Sequence, residues 1–229
     1  MAQTSNIARP RMKICCISSI DEAALAIRYG ASALGLVSAM PSGPGVIDDD
    51  TIAEIARRIP PGVASFLLTS RIDADAIIEQ QRHTGVNTVQ LCDAVAPNGH
   101  VRLREALRGI RIVQVIHVRS DASVAEALDA ATRVDALLLD SGNPSLAVKE
   151  LGGTGRTHDW QLSRRIVDES PVPVFLAGGL TESNVGEAIR AVRPFGVDLC
   201  SGVREAGRLS EAKLARFVAA VAAASTFPA

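Results

Sequence analysis

The chain has 229 residues, 47% of them hydrophobic and 21% charged, with 24 basic and 25 acidic side chains and a formal net charge of −1. That is the composition of an ordinary globular domain large enough to bury a real core, and it excludes the Lys/Arg surplus that phosphate-backbone or anionic-lipid binding requires. No apolar run approaches the roughly 18 residues of a spanning helix, and the opening MAQTSNIARPRMK lacks the apolar stretch of a secretory signal. A cytoplasmic protein with neither nucleic-acid nor membrane partners is expected. Cys15, Cys16, Cys92 and Cys200 are too few, and the first two too close together, for a disulfide scaffold, so they read as reduced thiols.

Short β-branched runs alternate with amphipathic stretches along the whole chain. Strands are expected at Met12–Cys16, Ala33–Val37, Val63–Leu68, Val86–Leu91, Arg111–His117, Ala136–Leu139, Val172–Ala177 and Gly196–Leu199. Helices are expected at Asp21–Tyr29, Asp49–Arg58, Asp73–Thr84, Val101–Leu107, Asp121–Thr132, Asp159–Glu169, Glu182–Val192 and Ser210–Ala223. Several begin with Ser, Thr or Asp, the residues that cap free helix amides; the fourth is the least defined, because Pro97-Asn98-Gly99-His100 blurs its start. Eight βα units in one α/β domain spanning 1–229, with 1–10 and 225–229 as frayed ends, imply a single (β/α)8 TIM barrel. A doubly wound open sheet usually has fewer strands at this length and often a G-x-G-x-x-G turn after the first one, where this chain has Cys15-Cys16-Ile17-Ser18.

In such a barrel the chemistry sits at the C-terminal ends of the strands. The glycines of Leu176-Ala177-Gly178-Gly179-Leu180 and Cys200-Ser201-Gly202-Val203 follow strands 7 and 8, the frequent phosphate site of this architecture; their plainer reading is as tight turns. The connection from Asp140 to His158 is far longer than the usual βα loop and holds Gly152-Gly153-Thr154-Gly155-Arg156-Thr157, which suits a lid or, more plainly, a disordered insertion. Asp140 ends the apolar run Ala136–Leu139, so desolvation raises its pKa toward that of a general acid, unless it is only a turn residue. Cys15 is a base or nucleophile if a cation or dipole lowers its pKa, and otherwise a small core residue. His158 reads as the solvent-facing start of the sixth helix, and His83 and His100 as exposed.

Taken together, Lys13-Ile14-Cys15, Ala31–Leu36, Val89-Gln90-Leu91, Leu137–Ser141, Gly152–Trp160, Leu176–Leu180, Asn184-Val185 and Ala188–Val203 are similar to the phosphoribosylanthranilate isomerase family of tryptophan biosynthesis. GGTG-x-T-x-DW followed by LAGGL is the specific part. The resemblance implies an Amadori rearrangement of an aminoaldose phosphate to an aminoketose phosphate, without metal or organic cofactor, by a monomer or homodimer acting on a small phosphorylated substrate. It implies Asp140 as the general acid, Cys15 as the general base, phosphate on Gly178, Gly179, Ser201 and Gly202, and substrate or lid contacts from Gln90, Gly153, Thr154, Gly155 and Asp198.

The sequence departs from that pattern around the mouth. Where the family carries an arginine expected to pair with the anthranilate carboxylate, this chain reads Pro41-Ser42-Gly43-Pro44-Gly45-Val46-Ile47, leaving Arg71, Arg119 or Arg204 to substitute. Cys16, Cys92-Asp93, Cys200 and Arg204 also replace the usual residues. Two alternatives follow: a divergent enzyme of the same barrel acting on another phosphorylated sugar or amine, and a non-catalytic binder of a sugar phosphate, or of a metal through Cys15 or Cys16, Cys92, His117 and Cys200.

Overall fold

A computed structural model describes residues 9–153 and 155–224. The chain runs β1 (Arg11–Ile14), α1 (Ile20–Arg28), β2 (Ala33–Val37), α2 (Asp49–Ala56), β3 (Ala64–Thr69), α3 (Ala74–Thr84), β4 (Thr88–Leu91) and α4 (Gly99–Ala106). It continues through β5 (Arg111–His117), α5 (Ala122–Ala131), β6 (Ala136–Asp140), α6 (Trp160–Glu169), β7 (Val174–Leu176), α7 (Val185–Val192) and β8 (Gly196–Leu199). A short hairpin, β9 (Arg204–Glu205) and β10 (Arg208–Leu209), precedes α8 (Glu211–Ala224). The first eight strands pair in parallel and in chain order, and β8 closes on β1 with Lys13 opposite Asp198. This is the (β/α)8 barrel expected from the alternation.

Alternating side chains separate two cores. One buried cluster, including Phe66, Leu68, Val113, Val115, Leu138 and Phe175, fills the barrel, while a larger one, including Ile14, Leu34, Leu67, Leu137 and Val197, packs the strands against the helices. The bottom is plugged by aromatic rings packed edge to face, Phe175 against Phe66 and Phe195. Side-chain caps start four helices: Ser19, Asp48, Asp73 and Asp159 accept from the amides of Glu22, Thr51, Ala76 and Gln161.

Element ends differ where side chains take over backbone partners. Strand β4 starts at Thr88, not Val86: the Gln81 amide donates to the Val86 carbonyl, and Asn87 exchanges hydrogen bonds with Ser65. Helix α4 starts at Gly99 without a side-chain cap, because Asn98 before it is left-handed (φ 64°). Of the ends expected to fray, residues 1–8 and 225–229 lie outside the described residues; Pro10 is buried, and the Arg9 guanidinium donates to the Val218 carbonyl at 3.5 Å. Among the described residues no helix is long and apolar enough to cross a membrane.

Candidate functional site

The C-terminal ends of the strands surround a cleft lined by Cys15, Gln90, Asp140 and Asp198, with Gly178, Gly179 and Ser201 on one side and Val37, Met40, Leu68 and Pro44 on the other. Leu151, Gly152, Gly153 and Gly155 of the long β6–α6 loop form part of the wall, and Ser42 Oγ donates to the Lys149 carbonyl at 2.7 Å, joining that loop to the one after β2. Thr154 lies outside the described residues.

Asp140 ends β6, fully withdrawn from solvent apart from the cleft. Burial pushes its carboxyl up to about 6, even though the Ser141 amide donates to Oδ1 at 2.7 Å. Cys15 follows β1 directly, and its amide donates to the Leu199 carbonyl at 2.8 Å, which fixes it at the barrel seam. For its thiol the condition of a cation-lowered pKa is not met. The Lys13 ammonium does pull it down, but burial dominates and pushes it up to about 11, so the resting group is a neutral thiol. Cys92, equally buried, is pushed up to about 12.

Lys13 and Asp198 lie beneath Cys15, Nζ 2.9 Å from Oδ1. Burial alone pulls the lysine pKa down, and the neighbouring Asp198 carboxylate more than restores it. The bare Cα of Gly35 leaves room for this arrangement: a Cβ there would stand 2.9 Å from Cys15 Sγ and 3.1 Å from Lys13 Nζ. Gln90 is buried on β4, with Nε2 3.8 Å from Cys92 Sγ and no hydrogen bond to Oε1, which leaves an acceptor available in the cleft.

The loops after β7 and β8 touch. A Cβ on Gly202 would lie 2.2 Å from the Leu180 carbonyl oxygen, so only glycine permits the contact. Residues Ser201–Val203 form one 3-10 turn, whose first amides have no partner within the turn. His158 stands behind Gly178. It is half-buried, not solvent-facing as expected: Nε2 meets Ser163 Oγ at 2.7 Å, and burial pulls its pKa down to about 4, leaving the ring neutral. His100 is likewise half-buried, with Nε2 3.3 Å from Gln114 Oε1, whereas His83 is exposed.

Two cysteines expected to be reduced thiols are instead joined: Cys16 and Cys200 form a disulfide with Cα atoms 5.9 Å apart, while Cys15 and Cys92 remain free. The residues are 184 apart in sequence, but closure of the barrel makes β1 and β8 neighbours, and the left-handed backbone of Cys16 (φ 61°) accommodates the turn into the loop. The link removes both sulfurs from the proposed set of metal ligands. Arg204 ties the same two loops. It donates to Glu22 Oε1 and Oε2 at 3.1 and 3.0 Å, and also to the Cys16 carbonyl. Burial pushes Glu22 up, but the guanidinium and the amides of Leu209 and Ser18 outweigh it and hold the carboxyl below its usual range.

None of the three arginines left to substitute for the missing one lines the cleft. Arg71 pairs with Asp49 and donates to the Ala76 carbonyl, Arg119 donates to Asn143 and Ser145, and Arg204 is engaged as described.

The family described as N-(5'phosphoribosyl)anthranilate (PRA) isomerase matches residues 12–220. N-(5'-phosphoribosyl)anthranilate isomerase 2 of Methanosarcina mazei is 38% identical over 210 residues, 91% of this chain and 92% of that protein. A solved phosphoribosyl anthranilate isomerase in complex with reduced 1-(o-carboxyphenylamino)-1-deoxyribulose 5-phosphate aligns with TM-score 0.76 at 26% identity, covering 93% of this chain and 99% of that one. Monomers generated from the dimeric phosphoribosylanthranilate isomerase of Thermotoga maritima align with TM-score 0.77 at 25% identity, covering 93% and 99%.

Proposed function

The chain belongs to the N-(5'-phosphoribosyl)anthranilate isomerase family, and from that premise we propose that it isomerises N-(5'-phosphoribosyl)anthranilate to the corresponding 1-deoxyribulose 5-phosphate in tryptophan biosynthesis. The observation that carries the reading is the pair Cys15 and Asp140 in one cleft, the carboxyl buried so that its pKa is near 6.

Asp140 as the carboxylic acid protonates the furanose ring oxygen, and the C1′–O bond breaks as the nitrogen lone pair forms a Schiff base. Cys15 as the thiolate removes the C2′ proton, giving an enolamine whose tautomerisation yields the ketone. Protons move and no electrons leave the substrate, so this chemistry calls for no redox cofactor. The amides of the turn at Ser201 and Gly202, unpaired within that turn, hold the phosphate together with Gly178 and Gly179; Ser201 and those two glycines line the cleft. Neutral His158 behind Gly178 adds no charge there. Gln90 Oε1 accepts from the ribose, Asp198 orients its hydroxyls, and Gly153 and Gly155 cover it. The assembly is a monomer or a homodimer; the Thermotoga maritima relative is a dimer.

The test is loss of substrate fluorescence in freshly generated N-(5'-phosphoribosyl)anthranilate on addition of purified protein. Turnover is expected, and its disappearance in Asp140→Asn and in Cys15→Ala with phosphate binding retained. No turnover by folded wild-type protein refutes the proposal, and full activity in either variant removes that residue from the mechanism.

A further inference from the structure

Resting on the isomerase reading, we propose that the cleft does not read the charge on the aromatic amine, so that N-phosphoribosyl derivatives of uncharged arylamines are isomerised as readily as that of anthranilate. The substrate class is therefore N-aryl aminoaldose phosphates, with the aryl carboxylate optional.

The geometry leaves one place for the ring. With phosphate held over β7 and β8 and the reacting carbons between Cys15 and Asp140, the N-aryl group falls on the opposite wall, against Val37, Met40, Leu68 and Pro44. The side chains of that wall are apolar except Ser42, whose hydroxyl already donates to the Lys149 carbonyl. All 24 lysines and arginines lie in the described residues, and none of them lines the cleft, whose only charged side chains are the carboxylates of Asp140 and Asp198. Lys13 is fully buried below and already faces Asp198. The two cations of the β6–α6 loop are ion-paired, Lys149 with Asp93 and Arg156 with Glu150.

A carboxylate placed on this wall gives up hydration without gaining a counterion, whereas the bare ring gains by burying its faces. The consequence for selectivity is quantitative. A site that hydrogen-bonds a substrate group rejects the analogue lacking it by about 10⁴-fold or more, because its own polar groups are left unpaired; an apolar wall has none to strand.

The experiment compares kcat/KM of the wild-type protein for phosphoribosyl amines formed in situ from ribose 5-phosphate with anthranilate, methyl anthranilate or aniline, following ketose product by mass spectrometry. The methyl ester keeps size and ring electronics while removing the charge. Values for the two neutral substrates less than about tenfold below that for anthranilate, or above it, are expected, with the same ratio in Arg156→Ala. A preference for anthranilate over its ester of tenfold or more overturns the inference and leaves the isomerase reading standing, as does a ratio that changes in Arg156→Ala. Turnover of the neutral substrates alone means that the cleft rejects the charge, and overturns both the inference and anthranilate as the substrate. No turnover of any of the three refutes the isomerase reading and this inference with it.

Discussion

Lys13 and Asp198 meet across the seam that closes the barrel, with Nζ 2.9 Å from Oδ1 and side-chain exposures of 0% and 8%. Neither charge has water to fall back on. Lys13→Met therefore strands a buried carboxylate and is expected to cost about 3–5 kcal/mol, read from the urea midpoint. Adding Asp198→Leu should recover most of that loss. A single variant as stable as the wild type would show that the pair contributes nothing to closure.

The rate should have an unusual pH dependence. With Asp140 near 6 and Cys15 near 11, the main form at neutral pH is carboxylate plus thiol, the reverse of what the reaction needs. Below about 6 the acid is protonated and the thiolate fraction shrinks as pH falls, so kcat/KM drops. Between 6 and 11 the growing thiolate fraction offsets the shrinking acid fraction and kcat/KM stays level; these are values of the coupled pair. A steady decline between pH 6 and 8 would contradict Cys15 as the base.

Asp140 also links stability to pH. Its folded pKa, about 6, lies above that of an unfolded aspartate, so its neutral form is the one the fold favours. That contribution is complete below about pH 4 and is lost as pH rises through 6, where the ionised group costs about 3 kcal/mol. Asp140→Asn, neutral throughout, should be more stable than the wild type by about that amount at pH 8 and equal to it near pH 4. Equal denaturation midpoints at both pH values would mean that the carboxyl is not desolvated.

The Cys16–Cys200 link closes a long loop, with 184 residues of sequence separation. Its removal in Cys16→Ser/Cys200→Ser should lower the unfolding free energy by about 2–4 kcal/mol, and the wild type in strong reductant should match the double variant. Thiol titration of the denatured protein should find two thiols before reduction, Cys15 and Cys92, and all four cysteines afterwards. Four thiols at the outset would show that the pair is not joined.

The barrel was legible because its causes are local. Alternating apolar runs and capping residues such as Asp48, Asp73 and Asp159 specify strand after helix, and eight such units have few other ways to cover their apolar faces. The placement of the candidate site residues was legible in outline for the same reason: Asp140 and the glycines after β7 and β8 lie where the order of elements puts a strand end. The tertiary structure alone decided what depends on β8 meeting β1. Closure joins Cys16 to Cys200, sets Lys13 against Asp198, and surrounds Cys15 so thoroughly that burial outweighs the nearby cation. The destinations of Arg71, Arg119 and Arg204 were equally hidden, since a side chain's partner depends on which loops share a rim. Residue order determines which groups stand at the mouth; only packing determines which of them keep water, which pair with one another, and which face the substrate, because burial and distance set a group's charge state.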